Sequence, residues 1–461
     1  MSARTPSRRD VLKAGAGLAG LHVLAPVTFR GSAAWAAGAD PATKYRYRLV
    51  VVNLAGGNDG LNTVVPSDGP IRDVYDQVRI KTEIARTVLR ALGGTNGGSV
   101  GLNPNLSYLH KLWEASRVAV VQGVEYPDPN YSHFIGDDIW QSGVRDRAPR
   151  SGWLGRHLDR VGIGEGELRG IGMASSLPLS LYGDNLRGQQ VASLTEAQFR
   201  DGSSTAPRAR HAAFKGYDAA TGLSRATYGD TCAAAYDLAV GTAGLTIGEV
   251  GGLSRTFLTA RELMTANLGV EVVFISAGGY DTHDKQTSRH ATLLRNLDLG
   301  LEAFWEGTQN GTDITTPAKT VAGSLPGSTV TIPGTAIGAL DPTVAERTLV
   351  VTFSEFGRRI GDTDDGTDHG AAAPMFLVGP PPAAAGSGMR RLVPGLHRDH
   401  PSLGTVLSPA VNLMPTTDFR NVYQSVLTGW LGTAGDPAFV GVAPGTGVNA
   451  DGTLSGLFGT A

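Results

Sequence analysis

The chain has 461 residues, a formal charge of −2, one cysteine, 63 glycines and 25 prolines. Its length allows a large core or two domains, and its weakly acidic balance argues against nucleic acid as a partner. Because Cys232 is the only cysteine, no disulfide can form within the chain, and the glycine and proline content favours turns and loops over a helical bundle.

The first 36 residues have the order of an export signal. Arg8 and Arg9 precede a mostly apolar stretch, 14–25, that is short for a membrane span, and small residues around Trp35 offer a cleavage site. Paired arginines before a weakly apolar segment are typical of a twin-arginine signal. We therefore expect the twin-arginine machinery to export the protein to a periplasmic or extracellular destination. Loss of 1–36 removes five cations and one anion, leaving a formal charge of −6 and no membrane span in the mature chain.

Five short runs rich in β-branched residues predict buried strands. The predicted strands are 48–54, 118–121, 270–275, 347–353 and 375–378. The predicted helices are 106–115, 135–141, 289–305 and 418–431, the last capped by Thr416 or Thr417. This alternation predicts an α/β fold with a mainly parallel, doubly wound sheet and helices on both faces. Ligands collect where loops leave the carboxyl ends of such strands.

The mature chain is interpreted as one α/β domain at 44–433. Residues 307–342 are rich in glycine, threonine, serine and proline and have little helical period, so they indicate a surface insertion within that domain. The glycine-rich C-terminal tail, 434–461, has a similar composition and is expected to behave in the same way.

Three polar segments near the ends of predicted strands supply candidate metal ligands. Asp59 follows the first strand in Gly-Gly-Asn-Asp-Gly, and Asp281 and His283 follow the third in Gly-Gly-Tyr-Asp-Thr-His. Asp368 and His369 come after the fourth strand in Thr-Asp-His-Gly. Carboxylate and imidazole groups together suit a divalent metal, with zinc or manganese favoured, in a site of one or two ions. The competing interpretation is ordinary turn chemistry with surface histidines.

Two further residue types suggest chemistry on an ester. Ser132 opens the helical segment after the second strand, where a serine is either a helix cap or a nucleophile. The nucleophile role requires a metal or a base close enough to lower the pKa of its hydroxyl. Arg358 and Arg359 follow the fourth strand, and either guanidinium could neutralise an anionic ester.

Taken together, these motifs resemble the family called domain of unknown function 1501. That family shows a twin-arginine leader followed by Gly-Gly-Asn-Asp-Gly-Leu-Asn, Ser-His-Phe, Gly-Gly-Tyr-Asp-Thr-His, Ser-Glu-Phe-Gly-Arg, Thr-Asp-His-Gly and Asp-Phe-Arg. The matching segments here are 56–62, 132–134, 278–283, 354–358, 367–370 and 418–420. The wider resemblance is to the alkaline phosphatase and sulfatase-like superfamily, which implies an alkaline-phosphatase-like fold.

The superfamily resemblance also implies roles for individual residues. The superfamily shows four features in a fixed order: an early Asp, a Ser or Thr nucleophile, an Asp–His pair and a later Asp–His pair. The corresponding residues here are Asp59, Ser132, Asp281, His283, Asp368 and His369. The early aspartate and the later pair would hold one metal ion beside the serine, and the first pair would hold the other ion.

The resemblance is incomplete at two points. Asp281 and His283 are two residues apart, whereas the superfamily spaces this pair by four. The number of bound ions, one or two, therefore remains open. A third histidine is implied downstream, where His397 and His400 are available.

Three functions are compatible with these residues. The leading hypothesis is metal-dependent hydrolysis or transfer of a phosphate or sulfate ester, with Ser132 as nucleophile and Arg358 or Arg359 neutralising the anionic ester substrate. The alternative is a non-catalytic exported binding or assembly protein that retains the fold. A metal-free serine hydrolase ranks last, because the chain lacks a Gly-x-Ser-x-Gly elbow.

The export interpretation predicts the effect of replacing both Arg8 and Arg9 with Lys. The twin-arginine receptor recognises the guanidinium pair rather than charge alone, so the full-length precursor should accumulate in the cytoplasm. Fractionation followed by immunoblotting would measure the distribution. Export of the Lys variant at the wild-type level would contradict the assignment.

Overall fold

The computed structural model describes most of the chain after the expected export signal. The described residues are 46–95, 98–145, 149–162, 168–191, 250–266, 269–322, 329–384, 386–401, 403, 410–439 and 447–460. The predicted signal, 1–36, and Cys232 lie outside these residues.

A nine-stranded sheet runs through the described residues, and its strands are numbered here in chain order. They are β1 Arg48–Ala55, β2 Val118–Glu125, β3 Gly170–Met173, β4 Gln189–Gln190, β5 Val272–Gly278, β6 Thr348–Phe353, β7 Ala373–Val378, β8 Gly395–His397 and β9 Thr417–Asp418. The spatial order is β8-β2-β7-β6-β1-β5-β3-β4, and β9 pairs with the end of β2. Every neighbouring pair is parallel except those of β7, which runs antiparallel to β6 and β2.

Eight α-helices accompany this sheet in the described part of the chain. They are α1 Gly69–Val78, α2 Ser107–Glu114, α3 His133–Ser142, α4 Trp153–Val161, α5 Gly252–Thr265, α6 Gln286–Glu306, α7 Pro342–Ala345 and α8 Phe419–Ser425. A π-helical segment, Val426–Leu431, continues α8. Short 3₁₀ turns lie at Gly60–Asn62, Arg86–Val88, Leu179–Leu181 and Pro437–Phe439.

Shorter strands form small sheets outside the central one. Val64–Pro66, Arg90–Thr95 and Gly98–Leu102 make a three-stranded sheet. The two-stranded pairs are Thr308–Gln309 with Thr312–Asp313, Lys319–Ala322 with Thr329–Ile332, Gly357–Arg358 with His369–Gly370, and Arg390–Leu392 with Phe458–Thr460.

The core lies on both faces of the central sheet because successive side chains of a strand point to opposite sides. In β1, Val50 and Val52 belong to the apolar cluster that includes side chains of α2, α5 and α6. Leu49 and Val51 belong to the opposite cluster, which includes side chains of α3, α4 and α8. The predicted α/β class with a mostly parallel sheet is therefore confirmed.

All five predicted strands are members of the central sheet, and the four predicted helices are present as α2, α3, α6 and α8. The predicted cap of α8 was wrong. The N-cap is Asp418, whose carboxylate accepts a hydrogen bond from the Arg420 amide at 3.0 Å. Thr416 and Thr417 precede the cap, and both hydroxyls bond to the Gln122 carbonyl because this segment pairs with β2.

The predicted insertion, 307–342, contains two small hairpins and the start of α7, with no long helix among its described residues. The composition of the predicted tail indicated a surface segment, but Leu454 and Leu457 of this tail are buried in the hydrophobic core. Among the described residues, no helix has both the length and the apolar character that crossing a membrane requires.

Asp137 on α3 is a partly buried carboxyl group whose negative charge is unfavourable. It accepts hydrogen bonds from Asn53 at 3.1 Å and from Gln141 at 2.5 Å. Burial, together with the nearby Glu355 carboxylate, raises the pKa of Asp137 from 3.8 to about 6. The folded state therefore binds this proton more tightly than the unfolded state, and stability should fall as pH rises through this interval.

Asp137→Asn should change the free energy of unfolding little at pH 4 and increase it by about 1–3 kcal/mol at pH 8. The new amide can donate to Asn53 Oδ1, which has no hydrogen-bond partner among the described residues. Urea unfolding at the two pH values would measure the effect, with the exposed Asp128→Asn as control. Equal changes at both pH values would contradict the prediction.

Candidate metal centre

Five segments meet at the carboxyl edge of the central sheet. They are 56–62 after β1, 126–133 after β2, 279–285 after β5, 354–359 after β6 and 367–370 before β7. Because β7 is antiparallel to its neighbours, the segment that enters it lies at the same edge as the segments that leave β2 and β6. The sheet therefore collects chemically active side chains from distant parts of the sequence.

His133, Asp281 and His369 form a compact group, which we name the histidine–aspartate cluster. One possible ligand atom from each residue lies within 4.8 Å of the other two. His369 Nε2 is 3.1 Å from Asp281 Oδ1, and His133 Nε2 is 3.4 Å from Asp281 Oδ2. Ligand atoms bound to one zinc ion are roughly 3–4 Å apart, so these separations fit a shared ion.

His283 and Asp368 border the cluster on its exposed side. His283 Nε2 is 3.0 Å from both Asp281 Oδ1 and His369 Nε2, and His283 Nδ1 is 3.5 Å from Asp368 Oδ1. The side chains of Asp281, His283 and Asp368 are each 45% exposed. Four of the five predicted metal ligands are thus neighbours at a solvent-accessible position.

The electrostatics of the cluster favour an ionised carboxylate beside a neutral imidazole. Burial alone would raise the pKa of Asp281, but the hydrogen bond and the positive charge of Arg358 outweigh it, and the pKa falls to about 2. Burial lowers the pKa of His369 below its usual range.

Hydrogen bonds orient both imidazoles of the cluster. His369 Nδ1 lies 2.9 Å from the Tyr131 carbonyl oxygen, and His133 Nδ1 lies 2.9 Å from Glu355 Oε1. The buried Glu355 carboxylate also accepts the Gly56 amide at 2.7 Å. Both partners are acceptors, so they favour the neutral tautomer that carries its proton at Nδ1 and turns the Nε2 lone pair toward Asp281.

Asp59, the fifth predicted ligand, lies below the cluster rather than in it. Its side chain is completely buried and forms an ion pair with Arg79, which contacts both carboxylate oxygens. Gln286 Nε2 donates to the same carboxylate at 2.5 Å. Burial would raise the pKa of Asp59, but Arg79 outweighs this effect and lowers it. The predicted ligand set of Asp59, Asp368 and His369 therefore does not match the geometry, because Asp59 is already neutralised.

Arg358 also differs from its predicted role. Its guanidinium is fully buried and donates to the carbonyl groups of Gly56, Gly57, Tyr280 and Thr367 and to Asp281 Oδ1. These bonds occupy all three guanidinium nitrogens, so Arg358 connects the loops instead of presenting a free cation to a substrate.

Ser132 occupies the N-cap position of α3. It lies between Tyr131, whose carbonyl contacts His369, and His133, which belongs to the cluster. Its side chain makes no capping hydrogen bond, while its amide donates to Asn130 Oδ1 at 2.9 Å. The hydroxyl is therefore not used as a helix cap, and the nucleophile assignment stays a prediction.

The third histidine of the site comes from a different place than the sequence suggested. His397 and His400 bond to the carbonyl groups of Val393 and Pro401, and neither belongs to the cluster found among the described residues. His133 supplies the additional imidazole instead. It stands in the Ser-His-Phe motif, and its position after a strand is the sequence signal that indicates a site residue.

Comparison with known proteins gives one family. Residues 116–311 match the model of a family described as a protein of unknown function, DUF1501. This similarity supports the resemblance noted in the sequence and covers His133, Asp281 and His283. No curated protein matches the chain.

Gly56 allows the loops after β1 and β5 to touch. Its φ angle is +123°, and a Cβ atom there would overlap the backbone of Tyr280 and Asp281. Gly56→Ala should therefore displace Asp281 and lower the free energy of unfolding by about 1–3 kcal/mol.

Thermal and urea unfolding would measure the loss of stability in Gly56→Ala. Gly278→Ala is the matched control, because a Cβ at Gly278 has open space around it. Equal stability of the two variants would show that this close approach is unimportant.

Proposed function

We propose that this chain is an exported, metal-dependent hydrolase of phosphate or sulfate esters with an alkaline-phosphatase-like fold. The observation that carries the proposal is the convergence of His133 Nε2, His369 Nε2 and the Asp281 carboxylate. The order of motifs along the chain agrees with it.

The convergence directs three potential ligand atoms toward one point. The Tyr131 carbonyl and the Glu355 carboxylate hold the imidazole protons at Nδ1, so the two Nε2 atoms face Asp281 as acceptors. These Nε2 atoms lie 3.1–3.4 Å from the Asp281 carboxylate oxygens. A divalent ion between them would be coordinated by two imidazoles and one carboxylate.

The donor set indicates the kind of metal. Two imidazoles and one carboxylate are typical of catalytic zinc sites that keep a fourth position open, and manganese accepts the same ligands. His283 and Asp368, which border the cluster, are available to a second ion. The proposal therefore covers one or two ions, with zinc or manganese favoured.

When bound, a divalent ion would supply a Lewis acid that polarises the ester and lowers the pKa of a nearby hydroxyl. Ser132 would supply the nucleophilic hydroxyl, which makes no capping hydrogen bond with its own helix. Arg359 replaces Arg358 as the group that neutralises the anion. Its side chain is 34% exposed, and Nη1 lies 3.6 Å from Asp368 Oδ2.

The motif order at the N-terminus supports the cellular part of the proposal. Arg8 and Arg9 would direct the folded protein through the twin-arginine machinery to the periplasm or the extracellular space. Export after folding suits a protein that acquires its metal in the cytoplasm.

One observation favours the alternative of a non-catalytic exported binding or assembly protein. The guanidinium of Arg358, the cation nearest the cluster, is taken up by contacts with the loops. A site that had lost its anion-binding group would retain the fold without the chemistry.

Metal content and hydrolysis test the proposal together. The wild-type protein should bind one or two divalent ions, with zinc or manganese favoured, and hydrolyse p-nitrophenyl phosphate or p-nitrophenyl sulfate. His133→Ala and Asp281→Asn should each lower metal affinity by at least 10–100-fold, because each removes one of three ligands. His110→Ala, at a histidine outside the site, is the control. Elemental analysis, chelator competition and absorbance at 405 nm measure these effects.

The results separate the three functions. A wild-type protein that binds no divalent metal would favour the non-catalytic alternative. Hydrolysis that survives complete chelation would contradict the metal-dependent mechanism and support a serine hydrolase. Loss of hydrolysis in Ser132→Ala with unchanged metal binding would identify Ser132 as the nucleophile.

A further inference from the structure

Gln286 joins three buried groups beneath the cluster. It is the first residue of α6, and its side chain is completely buried. Gln286 Nε2 donates to Asp59 Oδ2 at 2.5 Å. Gln286 Oε1 accepts the Thr282 hydroxyl at 3.1 Å and the Thr367 hydroxyl at 2.6 Å.

The orientation of this amide follows from the chemistry of its partners. The ionised Asp59 carboxylate can only accept, so it requires the NH₂ group of Gln286. The amide oxygen must then face the two hydroxyls, which donate to it. Asp59 is itself held by Arg79, which also donates to the Ile360 and Arg359 carbonyls.

The two threonines lie inside the segments that carry the candidate ligands. Thr282 stands between Asp281 and His283, and Thr367 directly precedes Asp368 and His369. One amide oxygen therefore connects two loops that are more than eighty residues apart in the sequence.

Backbone contacts run beside this connection. The Thr367 amide donates to the Thr282 carbonyl at 3.3 Å, and the Gln286 amide donates to the Asp365 carbonyl at 2.9 Å. Of the two hydroxyl contacts to Gln286 Oε1, the one from Thr367 is the shorter, at 2.6 Å. The side chain thus reinforces the backbone contact between the two ligand loops.

We infer that Gln286 is a positioning residue that sets the distance between the Asp281 and His369 loops, and that Asp59 acts through it. The part of this inference that concerns metal affinity rests on the proposed metal centre. The part that concerns loop geometry does not. Asp59 would then contribute to the site without touching an ion, by fixing the orientation of one amide.

Metal affinity separates positioning from general stability. Gln286→Met removes the three hydrogen bonds while keeping the length of the side chain, and it should weaken zinc or manganese binding by about 10–100-fold. Thr367→Val should produce a loss in the same direction, and Thr367→Ser, which keeps the hydroxyl, should restore the affinity. Chelator competition on the full chain measures each value.

Gln424→Met is the matched control. Gln424 is also buried with both amide atoms bonded, to the Asp451 carbonyl at 3.0 Å and the Asp436 amide at 2.9 Å, but it lies on α8 away from the cluster. Its replacement should lower the thermal stability and leave the metal affinity within about twofold of wild type. Similar affinity losses in the two Met variants would overturn the positioning role, as would unchanged affinity in Gln286→Met.

A metal-free measurement keeps this inference separate from the proposed function. The His283 and His369 ring centroids are 4.8 Å apart, so a nuclear Overhauser effect between them should be visible in histidine-labelled wild-type protein. The effect should weaken or disappear in Gln286→Met and persist in Gln424→Met. If the wild-type protein binds no metal, the proposed metal centre is wrong, and the contact between the two histidine rings alone tests the positioning role of Gln286. Its persistence in Gln286→Met would refute the positioning role.

Discussion

The ion pair between Arg79 and Asp59 is fully buried, and the candidate site is built upon it. Both side chains have no exposed surface, so each charge has lost its hydration and depends on the other. Removal of one partner from such a pair typically costs about 3–5 kcal/mol, because the remaining charge is left uncompensated. The additional bonds of Arg79 to the Ile360 and Arg359 carbonyls extend this dependence to the loop after β6.

Two guanidinium groups therefore organise the edge of the sheet from within. Arg79 holds the carboxylate that orients Gln286, and Arg358 donates to four backbone carbonyls around the cluster. An arginine suits this task because its donors form a planar fork that reaches several acceptors at once. The ligand loops are mostly irregular backbone, and these side chains provide the hydrogen bonds that a regular element would have supplied.

Much of the fold could be predicted from the sequence because its strong elements have strong patterns. The run in β1 is almost continuously apolar, as expected of a parallel strand covered on both faces. Gly170–Met173 and Gln189–Gln190 were missed because they are too short, and too poor in β-branched residues, to be distinguished from loops. The cap of α8 was misplaced because Asp418, Thr417 and Thr416 are all good capping residues, and only strand pairing decides among them.

The candidate site was predicted in its location and only partly in its composition. The positions of these residues near strand ends correctly predicted that Asp281, His283, Asp368 and His369 are neighbours. The roles of Asp59 and Arg358 could not be derived in that way, because a carboxylate that binds an ion and one that binds a buried arginine look identical in a sequence. The motif alone does not predict the role of His133, because the direction of its imidazole is set by Glu355 from a distant segment.

The reversed direction of β7 has a consequence for motion at this edge. The chain leaves β6 and returns to β7 at the same end of the sheet, and Arg358 and His369 face each other as partners in a short antiparallel pairing. A hairpin whose two ends are both anchored in the central sheet cannot swing as a hinge. His369 is therefore tied to the central sheet from both ends of the hairpin.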